Sequence, residues 1–488
     1  MNESENKQIN LGNLIGKEWV TTDEVITVYN PATGESVGTV PSATESMVEE
    51  SLLAAERAFQ SWSAFTVQKR ARLLHDAAQK VRGKQEQLAI LLTLEQGKPL
   101  RDARKEIAES AYVLDYFAEE AVRVYGEVIP LDSKDTRSIV IRQPIGPVVA
   151  ITPWNYPVSL LAWKIAPALA AGCTVVAKPA SETPLAATEY IRCLVDAGIP
   201  EGVVNVVTGK GSVVGKALIN SPITRKIAFT GSTEVGKDVM KYAAENITKV
   251  SLELGGHSPF IVMSDANLEQ AAFDGAMRSF RAMGQNCNAV NRIFVHESIY
   301  EPFVNRLVHH GSTLTMGDGF KNPDIDLGPM LNEAGIRRME EQIADALKKG
   351  GQLLLGGKRP EAREYKDGYF FEPTVIANAG SDAKVLQEES FGPLVHVQSF
   401  STTEEAIKLG NNTKYGLVSY LYTNDLTQAF KISEAIESGT VCVNNTAGST
   451  VEAPYGGWKQ SGIGVELSHH GLQGYLQLKH IRLQLREM

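Results

Sequence analysis

The region between Ile145 and Gly256 constrains the fold most, because short apolar segments alternate there with helical patterns. The apolar segments include IGPVVAITPW, CTVVAKPA, GVVNVVTG and TRKIAFTG, and the helical patterns include AWKIAPALAAG, PLAATEYIRCLVDAG and STEVGKDVMKYAAE. Strands and helices that alternate at these lengths are typical of parallel βαβ units. Ligands of such sheets bind at the carboxyl ends of the strands. The pattern therefore predicts an α/β protein with a nucleotide-binding domain.

Two glycine patterns in this region are candidates for a phosphate-binding turn. Gly209, Gly211 and Gly215 follow a predicted strand, but their spacing is one residue longer than the dinucleotide fingerprint. Gly231 and Ser232 stand at a strand-to-helix junction, where the first helical amides are unpaired and attract anions. An ordinary helix cap without a ligand is the simpler explanation of either pattern taken alone.

The length and charge of the chain exclude several classes of protein. A chain of 488 residues is too long for one hydrophobic core, so two or three domains are expected. The formal charge of −9 argues against a nucleic-acid-binding protein. The sequence has neither a secretory signal pattern nor an apolar run long enough to cross a membrane. The four cysteines are scattered and the histidines are not clustered, so we expect a reduced, metal-free, cytoplasmic protein.

The segments on either side of the alternating region have different patterns. Residues 15–40 predict a β-hairpin, and residues 45–124 predict helices. Residues 127–141 predict a second hairpin, which is either an ordinary surface element or an edge that pairs with another subunit. A second α/β region follows residue 287, and the chain ends in the strand-like segment GLQGYLQLKHIRLQL.

An acid and a thiol flank a predicted helix near the middle of the chain. Glu253 lies in KVSLELGG, and Cys287 lies in GQNCN. A carboxylate and a cysteine that meet in space can carry out covalent catalysis in two steps, in which one group attacks and the other activates water. The alternation in VSLELGG also fits a solvated strand face. However, two glycines follow Glu253 and would allow a cofactor to approach the backbone closely.

Seven short motifs occur in a fixed order along the chain: PWNYP at 153–157, KPASETP at 178–184, FTGSTEVG at 229–236, LELGG at 252–256, GQNC at 284–287, EESFGP at 388–393 and PYGGWKQSG at 454–462. This ordered set resembles that of the aldehyde dehydrogenase superfamily, and the resemblance runs from about residue 15 to the end. It implies the family fold. A Rossmann-like NAD(P)-binding domain would comprise 1–126 and 147–256, a catalytic α/β domain 257–471, and oligomerisation strands 127–146 and 472–488. A homodimer or homotetramer is implied.

The resemblance assigns a role to each of three catalytic residues. Cys287 would be the nucleophile that attacks the aldehyde carbon. Asn155, together with the backbone N–H of Cys287, would form the oxyanion hole, although Asn is also common in turns. Glu253 would activate the water that cleaves the resulting thioester. The other three cysteines lie in apolar runs and are interpreted as inert.

The cofactor residues are assigned by the same resemblance. Lys178 would hold the adenosine ribose, Ser232 the pyrophosphate, and Glu389 and Phe391 the nicotinamide ribose and ring. Ser181 is a departure, because NAD-preferring members commonly have a glutamate there that would repel a 2′-phosphate. NADP use is therefore expected, with NAD as the other cofactor. The remaining predicted cofactor contacts are Trp154, Gly211, Gly231, Leu254 and Gly255.

The substrate prediction depends mainly on Arg281. This residue resembles the arginine that binds the carboxylate in succinate-semialdehyde dehydrogenases, and we expect it on the helix that leads to Cys287. Arginine suits this role because its planar fork pairs bidentately with a carboxylate. Two departures are Trp163, where those enzymes often have a second arginine, and Ala289, where they often have a second cysteine.

The other predicted substrate contacts are Tyr156, Trp163 and Tyr455, which would form an aromatic tunnel, and Ser449, which would offer a hydroxyl. The predicted function is NAD(P)-dependent oxidation of a short aldehyde with an anionic end, such as succinate semialdehyde. The alternatives are neutral, hydroxy- or sulfonate-bearing aldehydes, a CoA-acylating relative, and an inactive binding protein of the same fold. The presence of Glu253 argues against the CoA-acylating relative.

Overall fold

The computed structural model describes residues 8–486, and its first part contains small strands followed by a helical layer. The predicted hairpins and helices are observed. In chain order the elements are β1 (Ile9–Asn10), β2 (Asn13–Ile15), β3 (Glu18–Val20), β4 (Val25–Tyr29), β5 (Ser36–Pro41), α1 (Glu45–Ser63), α2 (Val67–Gly83), α3 (Gln85–Gln96), α4 (Leu100–Ala121), β6 (Glu127–Ile129) and β7 (Thr136–Pro144).

The alternating region forms a mainly parallel sheet, as the pattern predicts. Its elements are β8 (Val148–Ile151), α5 (Pro157–Ala171), β9 (Val175–Lys178), α6 (Leu185–Asp196), β10 (Val204–Val206), α7 (Lys216–Asn220), β11 (Lys226–Thr230), α8 (Thr233–Glu245) and β12 (Lys249–Glu253). Strands β12, β11, β8, β9 and β10 are neighbours and run parallel. Lys178, Thr230 and Glu253 end their strands at the same edge of this sheet, where ligands of α/β sheets bind.

A second sheet follows. Its region contains β13 (Ser258–Val262), α9 (Leu268–Phe280), β14 (Val290–His296), α10 (Tyr300–Ser312), α11 (Glu333–Lys348), β15 (Gln352–Leu355), β16 (Thr374–Ala377), α12 (Lys384–Gln387), β17 (Leu394–Phe400), α13 (Thr403–Asn411), β18 (Tyr415–Gly416), β19 (Val418–Tyr422), α14 (Leu426–Ala435) and β20 (Thr440–Val443). The strand order is β15-β16-β17-β14-β13-β19-β20. Because β13 and β14 are parallel neighbours, the segments that precede them converge.

The last elements return to the earlier parts of the chain. They are β21 (Trp458–Lys459), β22 (Gly462–Ile463), α15 (Ser468–Gln473) and β23 (Leu476–Gln484). Strand β22 lies in the segment predicted to be catalytic, yet it pairs with β12 in the first sheet. Strand β23 pairs with β7, and β6 lies on the other side of β7.

The domain boundaries given above stay a prediction, and their residues 1–7 and 487–488 lie outside the described part of the chain. Among residues 8–486, no helix combines the length and apolar character that a membrane crossing needs.

Candidate active site

Two loops meet where the first sheet adjoins the second. One loop leaves β12 after Glu253 and contains Gly255 and Gly256, and the other contains Cys287 and leads into β14. A Cβ atom at Gly256 would lie 1.9 Å from the carbonyl oxygen of Cys287, which no side chain tolerates. The double glycine therefore permits a backbone approach that brings the acid-bearing loop to the thiol-bearing loop.

The Cys287 thiol faces a cavity that is open on one side, and it has few polar neighbours. Its Sγ atom lies 3.5 Å from Tyr455 Oη and 3.7 Å from Asn286 Oδ1. Burial raises the pKa of Cys287 to about 12, and the negative charges of Glu389 and Glu253 add to this effect, while the contact with Tyr455 opposes it. The free protein therefore holds Cys287 as a neutral thiol near pH 7.

The Asn155 side chain is fixed above the loop that carries Cys287. Its Nδ2 atom donates to the carbonyl oxygen of Gln285 at 3.0 Å, and Lys98 Nζ donates to the Asn155 carbonyl oxygen at 2.8 Å. Asn155 is only 4% exposed, and it lines the same cavity as Cys287. An amide nitrogen has two protons, so one remains for an oxygen bound beside the thiol.

Lys98 is itself held by a buried carboxylate that the sequence patterns did not indicate. Lys98 pairs with Glu106 of α4. Glu106 also accepts hydrogen bonds from the backbone amides of Val158 and Ser159, at the start of α5. This carboxylate therefore satisfies unpaired amides at a helix N-terminus and anchors the cation that positions Asn155.

Glu253 is a buried acid with unusual surroundings. Its side chain lies inside the protein, not on the solvated strand face that alternation alone allows, because β11 and β22 flank β12. Both carboxylate oxygens are buried without a hydrogen bond to described residues. Burial raises the pKa of Glu253 well above its ordinary value, the charge of Glu466 raises it further, and Lys164 lowers it.

Lys164 and Glu466 form a buried ion pair next to this acid. Lys164 Nζ lies 2.7 Å from Glu466 Oε1 and donates to Thr230 Oγ1 at 2.6 Å. The two side chains are 0% and 2% exposed. Sequence reasoning missed both residues, because they are 302 positions apart. Lys164 could have been noticed because it follows Trp163 in an otherwise apolar segment, but nothing in the sequence indicated that Glu466 is its partner.

The predicted adenosine end of the cofactor site is compact and polar. Lys178 is 4% exposed, and burial lowers its pKa to about 8 while the charge of Glu182 opposes this. Ser181 Oγ donates to the carbonyl oxygen of Gly209 at 3.0 Å. A Cβ atom at Gly211 would meet no atom within 4 Å, so this turn leaves open space.

The predicted pyrophosphate and nicotinamide positions follow along the same edge. Ser232 caps the N-terminus of α8. Glu389 Oε1 accepts a hydrogen bond from the Gly256 amide at 2.9 Å, and burial raises the pKa of Glu389 to about 7 while that bond opposes the shift. The Trp154 and Phe391 rings meet edge to face at 5.3 Å.

Three apolar or glycine positions complete this edge. A Cβ atom at Gly231 would lie 2.4 Å from the Phe229 ring, and one at Gly255 would lie 2.7 Å from Glu389 Oε2. The Leu254 side chain packs against Gly236, where a Cβ atom would lie 2.4 Å from Leu254 Cδ2. A lysine, a helix N-terminus and a carboxylate in series fit the ribose, pyrophosphate and second ribose of a dinucleotide.

The thiol opens into a cavity of about 360 Å³ that contains the other predicted substrate residues. The Trp163 and Tyr455 rings meet edge to face at 5.3 Å in its wall. Cys287 and Asn155 line it together with the predicted contacts Tyr156, Trp163, Arg281, Ser449 and Tyr455. The structure therefore brings the predicted nucleophile, oxyanion donor and substrate residues to one cavity.

Arg281 lines this cavity, but it does not lie on the helix where we expected it. Helix α9 ends at Phe280, because Ala282 and Met283 have left-handed backbone angles with φ of 53° and 58°. Arg281 Nη2 also forms an ion pair with Asp102 of α4 at 3.0 Å. Sequence reasoning missed this partner, and it missed Arg278, which lies three residues earlier and lines the same cavity.

These observations define a class of enzyme: an α/β protein in which a buried thiol and an amide donor line one cavity beside a dinucleotide-type edge. The buried carboxylate of Glu253 ends the neighbouring strand β12 and does not itself line the cavity. The aldehyde dehydrogenase family model matches residues 19–481, and the chain belongs to this family. The resemblance, the predicted fold class and the enzyme class are thus confirmed. The inactive binding protein considered above is not favoured.

Several known proteins are similar to this chain over nearly their full length. The NADP(+) succinate-semialdehyde dehydrogenase of Escherichia coli strain K12 is 44% identical over 475 residues, which cover 97% of each chain. The 3-sulfolactaldehyde dehydrogenase of Pseudomonas putida is 44% identical over 467 residues, 95% of each chain. Betaine aldehyde dehydrogenase from Staphylococcus aureus, solved in complex with NAD+, superposes with a TM-score of 0.95 at 38% identity, covering 98% of this chain and 95% of that one.

The charges around Glu253 predict opposite pH effects for two substitutions. A base must be ionised, so the hydrolytic step should be lost as the pH falls through the raised pKa of Glu253. Glu466→Gln removes a like charge and should move this acidic limb to lower pH. Lys164→Met removes the opposing cation and should move the limb to higher pH. The pH dependence of the steady-state rate after the first turnover measures both shifts.

Glu404→Gln is the control, since this exposed side chain lies on α13 away from the site. Shifts in the same direction for the two variants would contradict the assignment of Glu253 as the titrating base.

Proposed function

We propose that this protein oxidises a short aldehyde with an anionic end, such as succinate semialdehyde, to the carboxylic acid, with NADP or NAD as cofactor. The observation that carries the proposal is the shared cavity in which Arg281 and Arg278 face the same space as Cys287 and Asn155. Two relatives named above support it, because succinate semialdehyde and 3-sulfolactaldehyde both carry an anionic group.

In the first half of the proposed reaction, Cys287 attacks the aldehyde carbon. The thiol proton passes to solvent water, the sulfur–carbon bond forms, and the π electrons of the carbonyl group move to its oxygen, which becomes an oxyanion. The second proton of Asn155 Nδ2 and the backbone N–H of Cys287 stabilise this charge. Because burial raises the pKa of Cys287, the thiol must lose its proton before it attacks, and the charge of Arg278 favours this loss.

In the second half, the cysteine thioester is cleaved by water. Glu389 and Phe391 would hold the nicotinamide ribose and ring, and the bound cofactor would supply the hydride acceptor that oxidation of the first adduct to this thioester requires. Glu253 accepts a proton from the attacking water, and its two free oxygens support this role. The water oxygen joins the acyl carbon, and the sulfur departs and regains a proton. Lys164 and Glu466 provide charged neighbours that set the proton affinity of Glu253.

NADP is the proposed preferred cofactor because of the side chains near the adenosine ribose. Ser181 is small and bound to the Gly209 carbonyl, so it leaves room beside Lys178 for a 2′-phosphate. Lys178 supplies a positive charge there, although burial weakens its hold on the proton. The NADP(+) in the name of the Escherichia coli relative supports the same preference.

We also propose that the protein assembles as a homodimer or homotetramer through the β23-β7-β6 sheet. Val128, Ile129 and Leu478 are 73%, 42% and 64% exposed on this sheet, which is an unusual amount of apolar surface for a monomer. A monomer in analytical ultracentrifugation would refute this.

We propose a cytoplasmic location, which four free cysteines support. Recovery of the protein outside the cytoplasm would refute it.

An aldehyde panel tests the proposed substrate. We expect kcat/KM for succinate semialdehyde to exceed that for butanal, which has the same number of carbons, by about 100-fold, because charge-assisted hydrogen bonds to arginine are strong. Production of reduced cofactor at 340 nm measures both rates. Equal values for the two aldehydes would contradict the anionic substrate.

Ser181→Glu tests the proposed cofactor preference. The new carboxylate should repel the 2′-phosphate and lower kcat/KM for NADP by about 100-fold, with NAD affected far less. Ser181→Ala is the matched control, because it removes the hydroxyl without adding charge. If Ser181→Glu weakens NADP and NAD equally, the 2′-phosphate does not lie beside this residue.

A further inference from the structure

Arg278 lines the substrate cavity and is bound only to neutral groups. Its Nε atom donates to the carbonyl oxygen of Asn288 at 3.1 Å and to Tyr420 Oη at 2.9 Å, and its Nη2 atom donates to Asn288 Oδ1. Its guanidinium also lies 5.8 Å from the centre of the Tyr420 ring. Between residues 8 and 486, no carboxylate forms an ion pair with Arg278.

Arg281 differs from Arg278 in this respect. The Arg281 guanidinium pairs with Asp102 at 3.0 Å and is partly exposed at 35%. Its charge is therefore largely balanced before a substrate enters. A half-buried guanidinium without a counter-ion is costly to maintain, so Arg278 is the cation of this cavity that gains most from a bound anion.

The remaining donors of Arg278 are available for such an anion. Its Nη1 atom makes no hydrogen bond to the part of the chain that the structure describes. The loop 446–449 closes the same region, because a Cβ atom at Gly448 would lie 3.2 Å from Tyr420 Oη and 3.4 Å from Asn288 Nδ2. Both of those atoms belong to residues that hold Arg278, so the loop and the guanidinium enclose one space.

The position of Arg278 also limits substrate length. Asn288 directly follows Cys287 in the chain, and it binds Arg278 through both its carbonyl and its side chain. The guanidinium is therefore tied to the immediate neighbour of the nucleophile. An aldehyde whose anionic group is only a few bonds from the carbonyl can reach both groups at once.

We propose that Arg278 binds the anionic end of the substrate, and that Arg281 is held by Asp102 as a secondary, outer cation. This inference rests on the proposed function, and it names the residue that would select short anionic aldehydes. Lys105 is the third cation that lines the cavity, and its Nζ atom lies 3.8 Å from Glu109 Oε1, so it also has a carboxylate partner. Arg278 is thus a specificity residue and not part of the covalent chemistry.

A paired substitution tests the inference with the whole enzyme. Arg278→Gln should lower kcat/KM for succinate semialdehyde by about 100-fold and change the value for butanal by less than about threefold. Gln keeps a donor for Asn288, so the catalytic loop should be preserved. Arg281→Gln, the comparison variant, should change the ratio of the two values by less than about fivefold. Arg337→Gln is the control, because this exposed arginine of α11 does not line the cavity.

Three outcomes would overturn the inference. An equal loss for both aldehydes in Arg278→Gln would mean that Arg278 only positions the loop of Cys287. A large loss of selectivity in Arg281→Gln, with none in Arg278→Gln, would assign the anion to Arg281. An unchanged ratio in both variants would exclude both arginines. If the wild-type enzyme prefers succinate semialdehyde to butanal, the proposed function stands whichever of these outcomes is found. If the wild-type enzyme lacks that preference, the proposed function itself is refuted.

A binding measurement distinguishes the loss of an anion site from poor folding of a variant. Succinate should raise the melting temperature of the wild type and of Arg281→Gln more than butyrate does. Arg278→Lys retains the charge but lacks the fork, so it should show a smaller succinate shift and about tenfold weaker use of succinate semialdehyde. A succinate shift in Arg278→Lys equal to that of the wild type would contradict a guanidinium-specific anion site.

Discussion

The site depends on one close backbone contact between the two sheets. Gly256 passes so near the Cys287 carbonyl oxygen that a Cβ atom would lie 1.9 Å from it. The Gly256 amide also donates to Glu389, so one residue joins the acid-bearing loop, the thiol-bearing loop and a predicted cofactor residue. If this contact were wider, the loops that follow Glu253 and carry Cys287 would lie farther apart, and Glu253 could not act on a group attached to Cys287.

Charges buried around this contact act through their neighbours. Lys98 with Glu106 positions Asn155, and Lys164 with Glu466 adjusts the proton affinity of Glu253. Breaking a buried pair by removing one partner costs about 3–5 kcal/mol, so such pairs are retained only where both partners are well placed. Here each pair also has a chemical consequence, because each lies next to a group that binds or activates a reactant.

The sequence was sufficient to predict the parallel sheet, the acid and thiol, and the motifs that resemble the family. These features are local, because a strand, a helix cap or a short motif can be recognised from about ten consecutive residues. The ion pairs were not predictable in this way. Asp102 neutralises Arg281 from 179 positions away, and Glu466 pairs with Lys164 across 302 positions. The left-handed turn at Ala282 and Met283 ends α9 one residue before Arg281, although neither residue type signals such a turn.

The central claim is that Cys287 carries an acyl group that Glu253 helps water to remove. Glu253→Gln tests it most directly, by rapid-mixing measurement of reduced cofactor followed by mass spectrometry of the peptide that contains Cys287. The account predicts a burst of about one equivalent per active site, then slow turnover, with the acyl group of the substrate attached to Cys287. A steady rate equal to that of the wild type, with no adduct on Cys287, would contradict it.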